Sequence, residues 1–140
     1  VVAEGLVGHP KAAGTARRRE EQAAETLAAV LARAASAPPA VADLFKQAGL
    51  DASLGHRALG VLEKQGRARR VSGDFAFDAD ACAALERAVV DRLRACPGAT
   101  AAELKDAMGT SRKYAIPLLE YFDSQAVTRR EGDTRVPGGR

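Results

Sequence analysis

The chain has 140 residues, of which 46% are hydrophobic and only 4% aromatic, and its formal net charge is +3. This length allows one ordinary domain or two small ones, and a core made of Ala, Leu and Val suits small helical units. The sequence has no long apolar run and no secretory start, so we predict no membrane span and no signal peptide, and we expect a cytoplasmic protein. It begins at Val1 rather than Met, and we expect it to be part of a longer protein.

Cysteine and histidine usage predicts no metal centre. Cys82 and Cys96 have no second cysteine pair nearby, and His9 and His56 are isolated. Zinc sites and disulfide frameworks need clustered ligands or paired cysteines, so we expect two buried or idle thiols. The sequence also lacks the groupings of nucleophile, base and carboxylate that hydrolases and transferases use, so no enzymatic activity is predicted.

The first segment, residues 1–16, mixes Gly, Ala and Pro with short apolar pairs, and we interpret it as the remnant of a preceding domain followed by a linker. The basic run Arg17–Arg19, followed by two glutamates, is predicted to open the first helix of the next unit. A solvated basic patch is an equally good interpretation of that run.

An internal repeat organises the remainder of the chain. A shift of about sixty positions places Gly49 on Gly109, Leu59 on Leu119, and the pair Arg69-Arg70 on Arg129-Arg130. Apolar, turn and basic positions coincide together, which indicates two copies of one supersecondary unit. We predict a first copy at residues 17–78 and a second copy at residues 79–140.

The second copy shows the pattern of three helices. An apolar stripe with four-residue spacing predicts the first helix, and Pro97-Gly98 ends it. Thr100 and Glu103 have the spacing of a capping box, and Gly109 is expected to close the second helix. The inward positions predicted for these two helices are Leu85, Val89, Leu93, Leu104, Ala107 and Met108.

The third helix follows Gly109 almost directly, which is the spacing of a helix-turn-helix unit. Ile116, Leu119 and Phe122 are predicted to face inward, with Glu120 and Asp123 left for solvent. Pro117 cannot donate a backbone hydrogen bond, so a kink or an irregular first turn is expected.

Each copy ends in a predicted β-hairpin. The β-prone runs 127–130 and 134–136 flank a Glu-Gly-Asp turn, and the runs 68–71 and 75–77 flank a Ser-Gly-Asp turn. Three helices followed by a hairpin make a winged helix. The predicted fold class is therefore mainly α with small β-hairpin wings, arranged as tandem winged helices.

The start of the third helix of the second copy is its most distinctive feature. Arg112 and Lys113 follow the capping residues Thr110 and Ser111. Cations are unfavourable at the positive end of a helix dipole unless an anion lies there. Because free backbone N–H groups at the same end also bind phosphate, the pattern favours a nucleic-acid ligand.

The second copy resembles the C-terminal winged-helix region of the bacterial selenocysteine-specific translation elongation factor. The residues that carry the resemblance are GTSRKYAIPLLEYFD at 109–123, VTRR at 127–130 and GDTRV at 132–136. The first copy is similar to the preceding winged helix of that family, more loosely. It has Ala52 and Ser53 where the second copy has Arg112 and Lys113, so we expect it to be a spacer or a secondary contact.

The resemblance implies a fragment that binds a hairpin in selenoprotein mRNA, so that a UGA codon is read as selenocysteine during protein biosynthesis. It also implies a parent factor that binds GTP, selenocysteyl-tRNA and the ribosome. This chain lacks a G-x-x-x-x-G-K-Ser/Thr phosphate loop, so we expect no cofactor and no GTPase activity in it. The resemblance places the RNA-binding surface at Thr110, Ser111, Arg112, Lys113, Arg129, Arg130 and Arg135.

Tyr114 follows the two cations directly, so it is a candidate for stacking on a loop base as well as for packing between helices. Other functions stay open at this stage. Winged helices also act as transcription regulators on duplex DNA and as protein-interaction adaptors. Regulators usually dimerise, and no additional dimerisation helix is apparent, so we expect a monomer.

Overall fold

The computed structural model describes residues 8–139, with side chains from residue 16 onward. The described helices are α1 Gly8–Ala34, α2 Val41–Ala48, α3 Ala52–Lys64, α4 Ala79–Ala95, α5 Ala101–Met108 and α6 Arg112–Ser124. The strands are β1 Ala68–Arg70, β2 Ala76–Asp78, β3 Ala99–Thr100, β4 Thr128–Glu131 and β5 Thr134–Pro137. No helix in this part of the chain is long and apolar enough to cross a membrane.

Two successive sets of three helices each end in an antiparallel hairpin, which confirms the predicted tandem winged-helix fold. Strands β1 and β2 form the first wing, with Arg69 opposite Phe77. Strands β4 and β5 form the second wing, with Arg130 opposite Arg135, and the short β3 joins the free edge of β5. The second wing is therefore tied to the segment that starts α5.

Helix α1 starts earlier than the sequence interpretation placed it. It begins at Gly8 instead of near Arg17, so residues 8–16 are helical and are not a linker. Residues 1–7, predicted as part of a domain remnant, lie outside the described residues. The added residues include Gly8, Pro10 and Gly14, which are poor helix formers, so local helix propensity does not account for the longer element.

Two hydrophobic clusters form the interior. The first joins α1, α2 and α3 through side chains such as Leu27, Leu44 and Leu62. The second joins α4, α5 and α6, and it also contains three side chains from the first wing: Val71, Phe75 and Phe77. The predicted boundary at residue 79 therefore does not separate the two cores.

Helix α5 shows both predicted end signals. The Thr100 hydroxyl accepts a hydrogen bond from the Glu103 N–H at 3.2 Å, and the Glu103 carboxylate accepts one from the Thr100 N–H at 2.8 Å. Gly109 closes the helix with φ at 67°. Ala107, predicted to face inward, is exposed, because it lies on the opposite flank of Leu104 from the buried Met108.

Helix α6 runs from Arg112 to Ser124 and contains Pro117. A proline at this position removes one hydrogen bond, the one to the Lys113 carbonyl. Leu118 and Leu119 follow directly and are fully buried in the second cluster. Their packing stabilises the helix beyond the missing bond.

Candidate nucleic-acid interface

The N-terminus of α6 has no carboxylate of its own. Ser111 is the N-cap residue, with φ −95° and ψ 164°, but its side chain makes no capping hydrogen bond, and the first turn contains no acidic residue. Arg112 and Lys113 are both exposed. Among the described side chains, the ion pairs involve other residues. This helix end therefore presents unpaired N–H groups and two solvated cations together.

The first copy offers an internal control for this arrangement. Asp51 is the N-cap of α3, and its carboxylate accepts a hydrogen bond from the Leu54 N–H at 2.8 Å. Ser111 occupies the corresponding position of the second copy, so the repeat exchanges a negative cap for a neutral, unused one. A carboxylate therefore stands at the start of α3, whereas the start of α6 has a neutral cap residue.

Thr110 and Ser111 lie where the sequence predicted, in the connection between α5 and α6. The Thr110 N–H donates to the Lys105 carbonyl at 3.3 Å, which fixes the connection to the end of α5, and its side chain is half-buried. Ser111 is exposed, and its carbonyl accepts the first hydrogen bonds of α6. The Ser111 hydroxyl is thus accessible to a ligand.

Tyr114 lies in the contact between the two copies. Its hydroxyl donates a hydrogen bond to the Pro38 carbonyl at 2.8 Å. Its ring packs against Phe75 with centroids 5.2 Å apart and against Phe77 at 6.0 Å. This geometry favours the packing interpretation over stacking on a base, because both the ring and the hydroxyl already have partners in the protein.

Arg135 was predicted to contact RNA, and the structure places it inside the protein. It is buried, and its guanidinium binds Asp123 through contacts of 2.9, 3.1 and 3.2 Å. The Thr128 hydroxyl donates to the same carboxylate at 2.5 Å. This burial argues against an RNA contact by Arg135, and Asp123, expected to face solvent, is partly buried. Alternate strand residues point to opposite faces, and the position of Arg135 on β5 faces α6.

The other wing arginines are on the surface, as predicted. Arg129 and Arg130 are both exposed on β4. Arg129 forms an ion pair with Glu131 at 2.6 Å, and the Nε of Arg130 donates to the Gly132 carbonyl at 3.2 Å. Because an exposed ion pair of this kind is weak, a phosphate can replace Glu131 as the partner of Arg129.

The candidate residues therefore form two groups. One group, at the start of α6, contains Ser111, Arg112 and Lys113, and the other, on the second wing, contains Arg129 and Arg130. The wing is anchored at Asp123, three turns along α6 from Arg112, or about 16 Å. A single phosphate at the start of α6 does not reach this anchor, whereas a longer polyanion has the length to do so.

Basic residues of the first wing are neutralised within the protein. Arg67 binds Glu25, Arg69 binds Glu86 at 3.0 Å and Arg70 binds Glu63 at 3.2 Å. The hydrogen bond from Arg67 is the main cause of a lowered pKa at Glu25. The first wing thus retains its arginines, and each has a carboxylate partner, as Arg129 has on the second wing.

Sequence reasoning missed Phe75, which packs beside Tyr114 at the start of α6. A signal was available in the repeat. The sixty-residue shift places Phe75 opposite Arg135 and Phe77 opposite Pro137, so one wing is aromatic where the other is not. An aromatic hairpin at the end of a small domain indicates a face buried against a neighbour.

Comparisons with known proteins agree with this architecture. Residues 92–136 match the family model described as elongation factor SelB, winged helix. The chain is 32% identical over 96 residues to the selenocysteine-specific elongation factor of Escherichia coli (strain K12). That match covers 69% of this chain and 16% of the relative, so the chain spans about a sixth of its length.

Two solved structures are similar in fold. The mRNA-binding domain of elongation factor SelB from E. coli, solved in complex with SECIS RNA, superposes with a TM-score of 0.67 at 29% identity, covering 81% of this chain and 98% of that one. A bacterial selenocysteine-specific elongation factor, EF-Sec, superposes with a TM-score of 0.53 at 26% identity, covering 59% and 14% respectively.

Proposed function

The chain belongs to the SelB elongation-factor family, as part of its C-terminal winged-helix region, and on this premise we propose that it binds a hairpin in selenoprotein mRNA. Binding would tether the parent factor to the message, so that UGA is decoded as selenocysteine. In this proposal GTP, selenocysteyl-tRNA and the ribosome are partners of the parent protein in the cytoplasm. The fragment itself contributes recognition as a monomer and no catalysis.

One observation supports this proposal above the others. Arg112 and Lys113 are exposed at a helix end whose first turn has no acidic residue and where no described side chain pairs with them, whereas the corresponding end in the first copy is capped by Asp51. Two cations beside unpaired N–H groups are destabilising in the free protein and favourable with a phosphate bound. The arrangement is therefore suited to an anionic ligand.

The two groups of residues divide the work of recognition. At the start of α6, the backbone N–H groups and Arg112 hold phosphate, and Lys113 and Ser111 reach the adjacent backbone or a base edge. On the wing, Arg129 and Arg130 hold a second stretch of backbone. A folded RNA hairpin offers both closely spaced phosphates and unstacked loop bases, which duplex DNA does not.

The test is an affinity comparison at physiological salt between an mRNA stem-loop and a DNA duplex of equal length. We expect the RNA to bind more tightly. The double variant Arg112→Ala with Lys113→Ala should weaken RNA binding by at least about tenfold. The slope of log K against log salt concentration should decrease in magnitude by about one to two. Melting temperature should change little, because neither side chain has a carboxylate partner among the described residues and the contacts of Lys113 with the Phe75 and Tyr114 rings are exposed ones.

A charge-matched control is Lys46→Ala with Lys64→Ala, which removes two exposed cations from the first copy. This variant should bind the hairpin nearly as well as the wild type. Equal losses in both double variants would show that only net charge matters. Tighter binding to duplex DNA would favour a transcription regulator and contradict the proposal.

A further inference from the structure

The first wing packs into the core of the second copy. Its side chains Val71, Phe75 and Phe77 belong to the same buried cluster as Leu118 and Phe122 of α6. The tip of this wing is itself fixed to the first copy, since the Val41 N–H donates to the Asp74 carbonyl at 2.8 Å. The wing thus connects the first copy to the core of the second.

Contacts from the first copy converge on the start of α6. The Pro38 carbonyl accepts the Tyr114 hydroxyl at 2.8 Å, and the rings of Phe75 and Phe77 pack on the Tyr114 ring. Tyr114 is half-buried and lies in the first turn of the helix. Its hydrogen bond and ring contacts therefore fix the Tyr114 ring beside Lys113.

Lys113 is held by the same contacts. Its ammonium nitrogen lies 5.8 Å from the centroid of the Phe75 ring and 5.2 Å from that of Tyr114. Both distances are within the range of a cation–π interaction. A ring attracts the ammonium without neutralising its charge, so Lys113 is oriented and still able to bind phosphate. A carboxylate in place of Phe75 would also orient the Lys113 ammonium, but it would neutralise its charge.

We propose that Phe75 of the first wing is a positioning residue for RNA binding, acting on Lys113 directly and through Tyr114. The inference rests on the proposed function and assigns the first copy a task beyond that of a spacer. In this scheme the first wing does not contact the ligand, and it instead stabilises the start of α6 in the second copy. It touches no RNA, and its effect is transmitted only through Lys113.

The test is a double-mutant cycle on hairpin affinity in the full chain. Phe75→Leu keeps an apolar side chain of similar size but removes the ring. We expect it to weaken binding by about two- to fivefold, the range of an exposed cation–π contact, and to have no effect when Lys113→Ala is already present. The matched cycle combines Phe75→Leu with Arg130→Ala on the second wing. In that double variant the two fold-losses of hairpin affinity should multiply.

A second variant guards against damage to the core. Tyr114→Phe removes only the hydroxyl that binds Pro38, and it should behave like Phe75→Leu in the same two cycles. An NMR measurement provides a readout without RNA: the Lys113 ε-methylene protons should show an upfield ring-current shift that Phe75→Leu reduces.

The outcomes separate the two proposals. If the wild type binds the hairpin but Phe75→Leu has no effect, or has the same effect with and without Lys113, the positioning role is overturned. If the wild type itself does not prefer the hairpin, the proposed function is refuted and the positioning role with it.

Discussion

Replacing Arg135 tests whether the second wing is held by the buried ion pair. The Arg135 side chain is 7% exposed and Asp123 is 25% exposed, and three nitrogen–oxygen contacts between them lie within 3.2 Å. Arg135→Ala leaves a partly desolvated carboxylate that, among the described side chains, keeps the Thr128 hydroxyl as its partner. Removing one member of a buried pair costs about 3–5 kcal/mol, and the partial exposure of Asp123 places the expected loss near 3 kcal/mol.

The assay is urea denaturation followed by circular dichroism, with the free energy of unfolding extrapolated to water. The matched control is Arg129→Ala, which breaks an exposed pair on the neighbouring strand and should cost less than about 0.5 kcal/mol. Adding Asp123→Ala to Arg135→Ala should recover about 1 kcal/mol or more, because no unpaired charge then remains. A loss in Arg135→Ala no larger than that in Arg129→Ala would refute the buried-pair account.

Three other features allow direct tests. Ala126 has φ at 60°, so Ala126→Gly should raise the free energy of unfolding by up to about 1 kcal/mol in the same assay. The Thr100 backbone N–H is the main cause of a lowered pKa at Glu103, so the stability lost in Glu103→Gln should be full at pH 7 and vanish as the pH falls through that lowered pKa. Burial raises the pKa of Cys82 to about 11, so a thiol reagent at pH 8 should label exposed Cys96 and spare Cys82 until the protein unfolds.

Local signals were enough to predict most of the fold. The capping box at Thr100, the turn at Gly109 and the four-residue apolar spacing each depend on residues close in sequence, and each is present in the structure. The repeat then supplied the architecture, because two weak patterns that agree position by position are stronger than either alone. At the candidate site, the exposure of Arg112 and Lys113 followed from the same local reasoning.

The remaining features depend on contacts distant in sequence. The strand sequence Thr-Arg-Val does not indicate which face of the hairpin Arg135 occupies. The inward orientation depends on Asp123 of α6, which binds the guanidinium. Likewise the partner of Tyr114, the Pro38 carbonyl, lies in the other copy. Ala126 is a different case, since the repeat places it opposite Gly66, and both adopt positive φ although only one is a glycine.

The shared cluster at the first wing determines how this recognition unit can be transplanted. A fragment that begins at Ala79 would lack the Val71, Phe75 and Phe77 side chains. The hydrophobic surface that they cover would then be exposed to water. Such a piece invites aggregation and an ill-defined α6. A fragment designed to contain a folded second copy must therefore include the preceding hairpin, β1 and β2. The smallest such fragment is larger than one repeat.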